Sequence, residues 1–260
     1  MEIPKQLHSP AVHRAPRGRV GRYALWQFGD YVWQRGVAMA LIGIVCFSPQ
    51  YYRYLKWQSD PSTSWWRDDQ VPGLLAGMLI PAMAIGGLIS VHGMVSGDRT
   101  QGFHRFLFAK PVSISRYYAQ TFLAQMLGFL TVVAALLTTF SVLVRPIALV
   151  ESLLSAALFF TLFGGIGFLL SVLTRYDSLM LLGVIGGTGL MYGIYEHRPD
   201  SIGNALLPVL PPIKSFVEIV GSLFDQHGGD VTPSMVFSVI GYGLACFLAG
   251  VGLLRRRSVV

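Results

Sequence analysis

Five windows of this chain contain no Asp, Glu, Lys or Arg: Val71 to Val91, Thr121 to Val144, Ser152 to Thr174, Ser178 to Tyr195 and Pro233 to Leu254. A helix needs roughly 18 to 20 apolar residues to cross ~30 Å of hydrocarbon, and each window approaches or exceeds that length. Inside a bilayer no water bonds the peptide groups, so such windows are confined to helices rather than loops or open sheets. A sixth span starts at Tyr31 (YVWQRGVAMALIGIVCF), with Arg35 expected to reach back to the headgroups and Tyr31 and Trp33 placed at the interface. The expected fold is an all-α polytopic membrane protein with six transmembrane helices. Composition agrees: 53% of the residues are hydrophobic and 13% charged, and the charges are gathered between the windows.

The segments follow in order. Residues 1–19 are expected to be a flexible basic tail and 20–30 an interfacial helix, because Val20 to Phe28 mixes Arg22 with Tyr23, Leu25, Trp26 and Phe28. The spans are placed at 31–47, 71–92, 118–144, 152–174, 178–195 and 234–254. No cleavable leader is expected. The first residues run through Pro4, Pro10 and Pro16 into aromatics, not into a short apolar core followed by small residues.

Charge fixes the expected orientation. With the amino terminus inside, Lys5, Arg14, Arg17, Arg19, Arg22, Arg35, Arg99, Arg105, Lys110, Arg116, Arg175 and the Arg255-Arg256-Arg257 triplet all fall on the inner side. Most acids fall on the other side, the positive-inside pattern for a chain with both termini cytoplasmic. Attraction to anionic membrane lipid then accounts for the pI of 9.6 without a nucleic acid partner.

Sites of chemistry are missing from the sequence. There is no CxxC, HExxH, GxSxG or GxxxxGK[ST], and His92, His104, His197 and His227 lack metal-ligand spacing, so no catalytic, metal or cofactor residue is assigned. Cys46 and Cys246 read as small apolar fillers. The five clear windows hold no ionisable relay of the kind that ion-driven pumps need, so a transporter of this form must take its energy from elsewhere. Gly73 with Gly77, Gly86 with Ser90, Gly183 with Gly187 and Gly189 with Gly193 have the spacing that lets helices approach closely. Gln125, Thr131, Thr138, Thr139, Thr161, Thr188 and Tyr192 could line a path, or simply bond within and between helices.

Between the second and third spans lies Asp98 to Arg116, DRTQGFHRFLFAKPVSISR, with four basic residues and one acid. As a helix over 98–110 it places Phe103, Phe106 and Leu107 on one face and Asp98, Gln101 and Arg105 opposite, with Phe108 off the stripe as a knob towards a partner. Pro111 ends it, and Ser113 or Ser115 is available as a cap. The blander reading is a helix resting on anionic lipid. Before the last span, 203–224 is apolar but broken by Pro208, Pro211 and Pro212. It is expected to form short helices dipping into the outer leaflet, with Leu210, Pro211, Pro212 and Phe216 as an outer gate and Lys214 and Glu218 on a wet face.

In the six-span layout, the central SGDRTQGFHRFLFAKPVS and the broken segment before the last span, the chain resembles the membrane subunits of ABC-2 type ATP-binding cassette transporters. That resemblance implies a coupling helix seated on a separate ATPase. Asp98 and Arg99 stand for the family's acidic-basic pair, Gly102 for its glycine, Phe106 and Leu107 for the hydrophobic part, and Pro111, Val112 and Ser113 for the closing turn. Phe103 and Arg105 extend the contact. The chain departs from the family where Phe103 and His104-Arg105 replace the threonine and the leucine-glutamate that often follow the glycine. The resemblance further implies a permease subunit in the cell inner (plasma) membrane and two ATPase subunits that bind ATP and Mg. It also implies a second permease subunit, identical or paralogous, and movement of a substrate outward. A membrane scaffold or assembly subunit that never transports would share the hydropathy and charge bias.

Overall fold

A computed structural model describes residues 19–59, 67–100, 113–195, 207–224 and 231–257, and within them every regular element is helical. Helix α1 (Arg19–Tyr31) passes through one π-helical turn (Val32–Gly36) into α2 (Val37–Ser59). Helix α3 (Arg67–Val91) is followed by a turn and the short α4 (Ser96–Thr100). Then come α5 (Ile114–Leu143), α6 (Leu149–Leu173) and α7 (Asp177–Tyr195). A 3₁₀ turn (Leu207–Val209) leads to α8 (Ile213–Phe224), and α9 (Pro233–Arg257) closes the described chain. Among the described residues, six helices are long and apolar enough to cross a membrane.

The first span differs from expectation. No break separates a surface helix 20–30 from a span 31–47; one helix runs from Arg19 to Ser59, and its apolar reach is Leu25–Ser59. Pro49 lies inside this helix and cannot donate to the Val45 carbonyl one turn back. The Ser48 hydroxyl donates to that carbonyl instead, at 3.1 Å. A side-chain donor thus satisfies the group that proline leaves open, and the helix continues through the stretch expected to be loop.

Helix α6 is the hub. Of its most apolar window 67% is buried, against 11% for α7, and its most extensive pairing is with α9. The reason is backbone contact. A Cβ built on Gly165 would meet the Gly243 carbonyl, and one on Gly243 would meet the Thr161 carbonyl, so the two helices touch with no side chain between them. Close approach of this kind drives helix association in lipid, where apolar side chains gain little by leaving one apolar solvent for another. Farther along, Gly167 admits Val91 at the end of α3, and on α5 Gly128 admits the Tyr31 ring.

Aromatic rings fill the spaces that these contacts define. Phe247 of α9 sits 4.8 Å from Phe122 and 4.7 Å from Phe168 by ring centroid, and Tyr118 lies edge-on to Phe168 at 5.7 Å. Such pairs add about 0.5–1.5 kcal/mol each beyond their area. The outward faces stay apolar: Phe237 is 73% exposed, and Leu127, Leu190 and Leu248 are also exposed. A surface like this suits lipid and would be an aggregation liability in water.

The glycine spacings singled out from sequence divide. Gly77 packs on Gln50 and Gly86 on Met39, while Gly73, Gly183, Gly187, Gly189 and Gly193 have nothing near them in this chain. Replacing Gly243 by Ala, or Gly165 by Ala, sets a methyl against backbone that cannot turn aside and costs about 1–3 kcal/mol. Thermal unfolding in detergent should fall by roughly 2–4 °C per kcal/mol. Gly183→Ala, into open space, should leave the midpoint unchanged or slightly raised; an equal fall for all three would show that the α6–α9 contact is not special.

Candidate functional site

The segment that leaves the second span is rooted on a buried carboxylate. Helix α3 ends at Val91, and the chain turns through His92 to Val95 with Gly93 at φ +73°, a left-handed conformation that glycine adopts without a Cβ clash. Asp177, at the first turn of α7 and 1% exposed, holds this turn. Its Oδ2 accepts from the Gly93 amide at 2.9 Å and the Ser96 hydroxyl at 3.0 Å. Its Oδ1 accepts from the Ser178 amide at 2.8 Å and lies 3.0 Å from His92 Nδ1. The Ser171 hydroxyl of α6 accepts from the Val95 and Ser96 amides, each at 3.1 Å.

A carboxylate at this depth is tolerated because its acceptor sites are filled and because the start of a 19-residue helix favours negative charge. Three spans therefore meet at one point: α3 through its turn, α6 through Ser171 and α7 through Asp177. From the fourth direction, Asp98 on α4 accepts from the Tyr118 hydroxyl of α5 at 3.4 Å, with that of Tyr117 at 3.5 Å. The Arg255 guanidinium of α9 donates to Ser115 at 2.8 Å, so the carboxyl end of the last span lies at this same end of the bundle.

Beside the base, the first helix makes a second polar cluster. Tyr31 donates to the Ser90 hydroxyl, which donates on to the Gly86 carbonyl at 2.7 Å. Arg35, expected to reach back to the headgroups, bonds within the bundle: its Nη1 donates to the Ser90 carbonyl at 2.6 Å. The Gln125 amide fits between them, its nitrogen 3.0 Å from the Ser90 carbonyl and its oxygen 3.3 Å from Arg35 Nη1. The π-turn that contains Arg35 re-aims that side chain within an otherwise unbroken helix. A cavity of about 310 Å³ opens here, between the first helix, the Gly93 turn and α5.

At the opposite end, Phe216 of α8 is buried between Phe159 and Phe163 of α6, 5.8 Å from each by ring centroid. Pro211 is buried, and Leu210 and Pro212 are half-buried at the entrance to α8. The Tyr192 and Tyr242 hydroxyls donate to the Leu207 and Val209 carbonyls, each at 3.4 Å, tying the 3₁₀ turn to α7 and α9. Lys214 and Glu218 pair at 3.8 Å on the exposed side of α8.

Of the residues expected to couple to an ATPase, Asp98 and Arg99 fall in α4, while Gly102, Phe103, Arg105, Phe106, Leu107, Phe108 and Pro111 lie outside the described residues. Ser113 occupies the N-cap position of α5, but its hydroxyl makes no capping bond. Thr131, Thr138, Thr139 and Thr161 each donate to the carbonyl one turn back in their own helix. Asp177 and Ser171 were not singled out in the sequence: one borders an apolar window and the other lies within one, and only the fold brings them to the turn.

Removing the Asp177 carboxylate leaves the Gly93 amide and Ser96 hydroxyl without an acceptor, at about 1–3 kcal/mol for each buried group. In Asp177→Ala, amide exchange at Gly93 to Gly97 should quicken while exchange in the middle of α6 stays as in the parent; unchanged protection of the turn would show that Asp177 is not its anchor. No protein-family model, curated protein or solved structure matches the chain, so no relative supplies a role for these residues.

Proposed function

We propose that this chain is the permease subunit of an ATP-driven transporter of ABC-2 type, an exporter working in the plasma membrane with a separate ATPase. The observation that carries this reading is the anchored base from which residues 101–112 depart. A subunit with no nucleotide-binding motif of its own must receive force through a segment between its spans. That segment is useful only if its root does not yield. Here the root is bonded to α5, α6 and α7 at once, so a displacement imposed at 101–112 acts on the bundle and not on a slack loop.

In this reading Arg99, Gly102, Phe103, Arg105, Phe106, Leu107, Phe108 and Pro111 form the docking segment, with Asp98 at its root. ATP and Mg are bound by two ATPase subunits, and two permease subunits, identical or paralogous, share the path. Leu210, Pro211, Pro212 and Phe216 close its outer end. The aromatic wedge of Phe216 against α6 supports that last assignment, because opening there requires Phe216 to leave Phe159 and Phe163.

Sidedness is tested with single cysteines in a background lacking Cys46 and Cys246. Asp60→Cys and Asp225→Cys should react with a membrane-impermeant thiol reagent in outer-membrane-permeabilised cells, and Arg105→Cys should not; equal labelling of all three would reject both termini being cytoplasmic. The docking segment is tested by affinity purification from native membranes. The parent chain should bring down a nucleotide-binding ATPase. Phe106→Asp, placing a charge where an apolar anchor is desolvated, should cost about 2 kcal/mol or more and lower retention by at least roughly thirtyfold. Retention unchanged in a folded Phe106→Asp protein would move the contact elsewhere, and a parent chain that never brings down an ATPase would favour the scaffold reading.

A further inference from the structure

The cavity beside Arg35 has unmet bonding capacity of both signs. Arg35 uses Nη1 on the Ser90 carbonyl and Gln125, and its Nη2 and Nε meet no acceptor among the described residues. It makes no ion pair with a carboxylate among the described residues, although Asp30 and Asp98 line the same cavity. On the facing side, Gln27 donates through its nitrogen to Thr121 at 3.0 Å, and its Oε1 is closed off from the cavity. Asp30, at the mouth, accepts from Gln34 at 2.6 Å through Oδ1 and keeps Oδ2 for another donor. A guanidinium with open N–H donors beside a carboxylate with an open acceptor position is shaped for a ligand that supplies both charges.

We propose that this cavity binds the headgroup of an amine-bearing zwitterionic phospholipid, with the phosphate on Arg35 and the primary ammonium on Asp30. Three observations select that chemistry. Guanidinium is the side chain suited to phosphate, through its planar set of N–H donors. The open acceptor position of Asp30 calls for a cation that carries N–H groups, which a primary ammonium has and a trimethylated choline lacks. Position selects the lipid source. The cavity is lined by Trp26, Gln27 and Asp30, beside the start of the first helix's apolar reach at Leu25. The exposed Trp26 at its rim is of the residue type that favours a membrane interface. About 310 Å³ holds a headgroup and leaves the acyl chains outside among the exposed apolar side chains. The inference takes the bilayer setting of the helices as given and does not depend on transport.

Native mass spectrometry of the full chain, with phosphatidylethanolamine, phosphatidylcholine and phosphatidylglycerol of matched acyl chains, tests this. The ethanolamine lipid should be retained about tenfold more strongly than either of the others, the worth of one charge-assisted hydrogen bond. Arg35→Gln should abolish the preference. Because Arg35 also holds the Ser90 carbonyl, Asp30→Asn serves as a variant that leaves that bond intact, and it should lower retention of the ethanolamine lipid towards that of the choline lipid. Equal retention of the three lipids, or a preference unaltered in Asp30→Asn, would overturn the proposal. Free phosphoethanolamine is the second arm: binding at least as tight as that of the lipid would assign the cavity to a soluble zwitterion and overturn the lipid source, whereas much weaker binding supports it.

Discussion

The contact of Gly165 with Gly243 sets the geometry on which the rest of the bundle depends. In a bilayer the apolar side chains of two helices gain little by meeting each other, so association rests on close packing and on hydrogen bonds. Two glycines facing each other bring the α6 and α9 backbones together, and what lies farther along α9 is fixed by that distance. Phe247, one turn on from Gly243, falls between Phe122 and Phe168, and three turns on Arg255 reaches Ser115 of α5. Gly250 continues the same seam against Phe168. A chain with alanine at the crossing would splay α9, and both the ring cluster and the arginine contact would go with it.

Polar groups at the end of the bundle that carries the first helix's entry fall into two regimes. Around Asp177 the acceptors are filled by amides and hydroxyls from α3, α4, α6 and α7, an arrangement that stiffens and leaves no room for a ligand. Around Arg35 the bonding is partial and an open cavity adjoins it. The two lie on opposite sides of the same turn, since Gly93 bonds Asp177 through its amide and lines the cavity. Occupancy of the cavity and firmness of the base are therefore in physical contact through one residue.

Length and charge content made the six spans legible in the sequence, because crossing hydrocarbon demands uncharged runs and little else does. The amphipathic α8 and its Lys214–Glu218 pair were legible for a related reason: a proline break followed by helical periodicity leaves few other arrangements. The first helix extends beyond what its apolar run suggested: it continues through Pro49, where the Ser48 hydroxyl occupies the Val45 carbonyl, and the bond of Arg35 to the Ser90 carbonyl depends on α3 and could not be read from the first helix alone. Glycine spacing misled as well. It measures what one helix can offer and not whether a partner stands opposite, so Gly183 and Gly187 drew attention while Gly165 and Gly243, each matched across a helix pair, did not. Asp177 was hidden for a similar reason: its value lies in donors contributed by residues more than eighty positions away.

Helix α6 links the two ends that the proposed function uses. Ser171 bonds the base at one end, and Phe159, twelve residues earlier and so about 18 Å along the axis, packs against Phe216 at the other. Because the interior of such a bundle is close-packed, α6 cannot slide past α9 without parting Gly165 from Gly243, nor tilt towards α3 without driving Gly167 into Val91. Under the proposed function, a load entering at the base would move α6 and α9 as one body, carrying Phe159 and Phe163 with it. Helix α7 is differently placed: mostly unburied and with its glycines unopposed, it is tied in chiefly by Asp177 and by Tyr192. If the outer end opens by relative motion, the least packing is disrupted when α7 moves against the α6–α9 pair, with the 3₁₀ turn at Leu207 to Val209, bonded to both α7 and α9, as the element that must give.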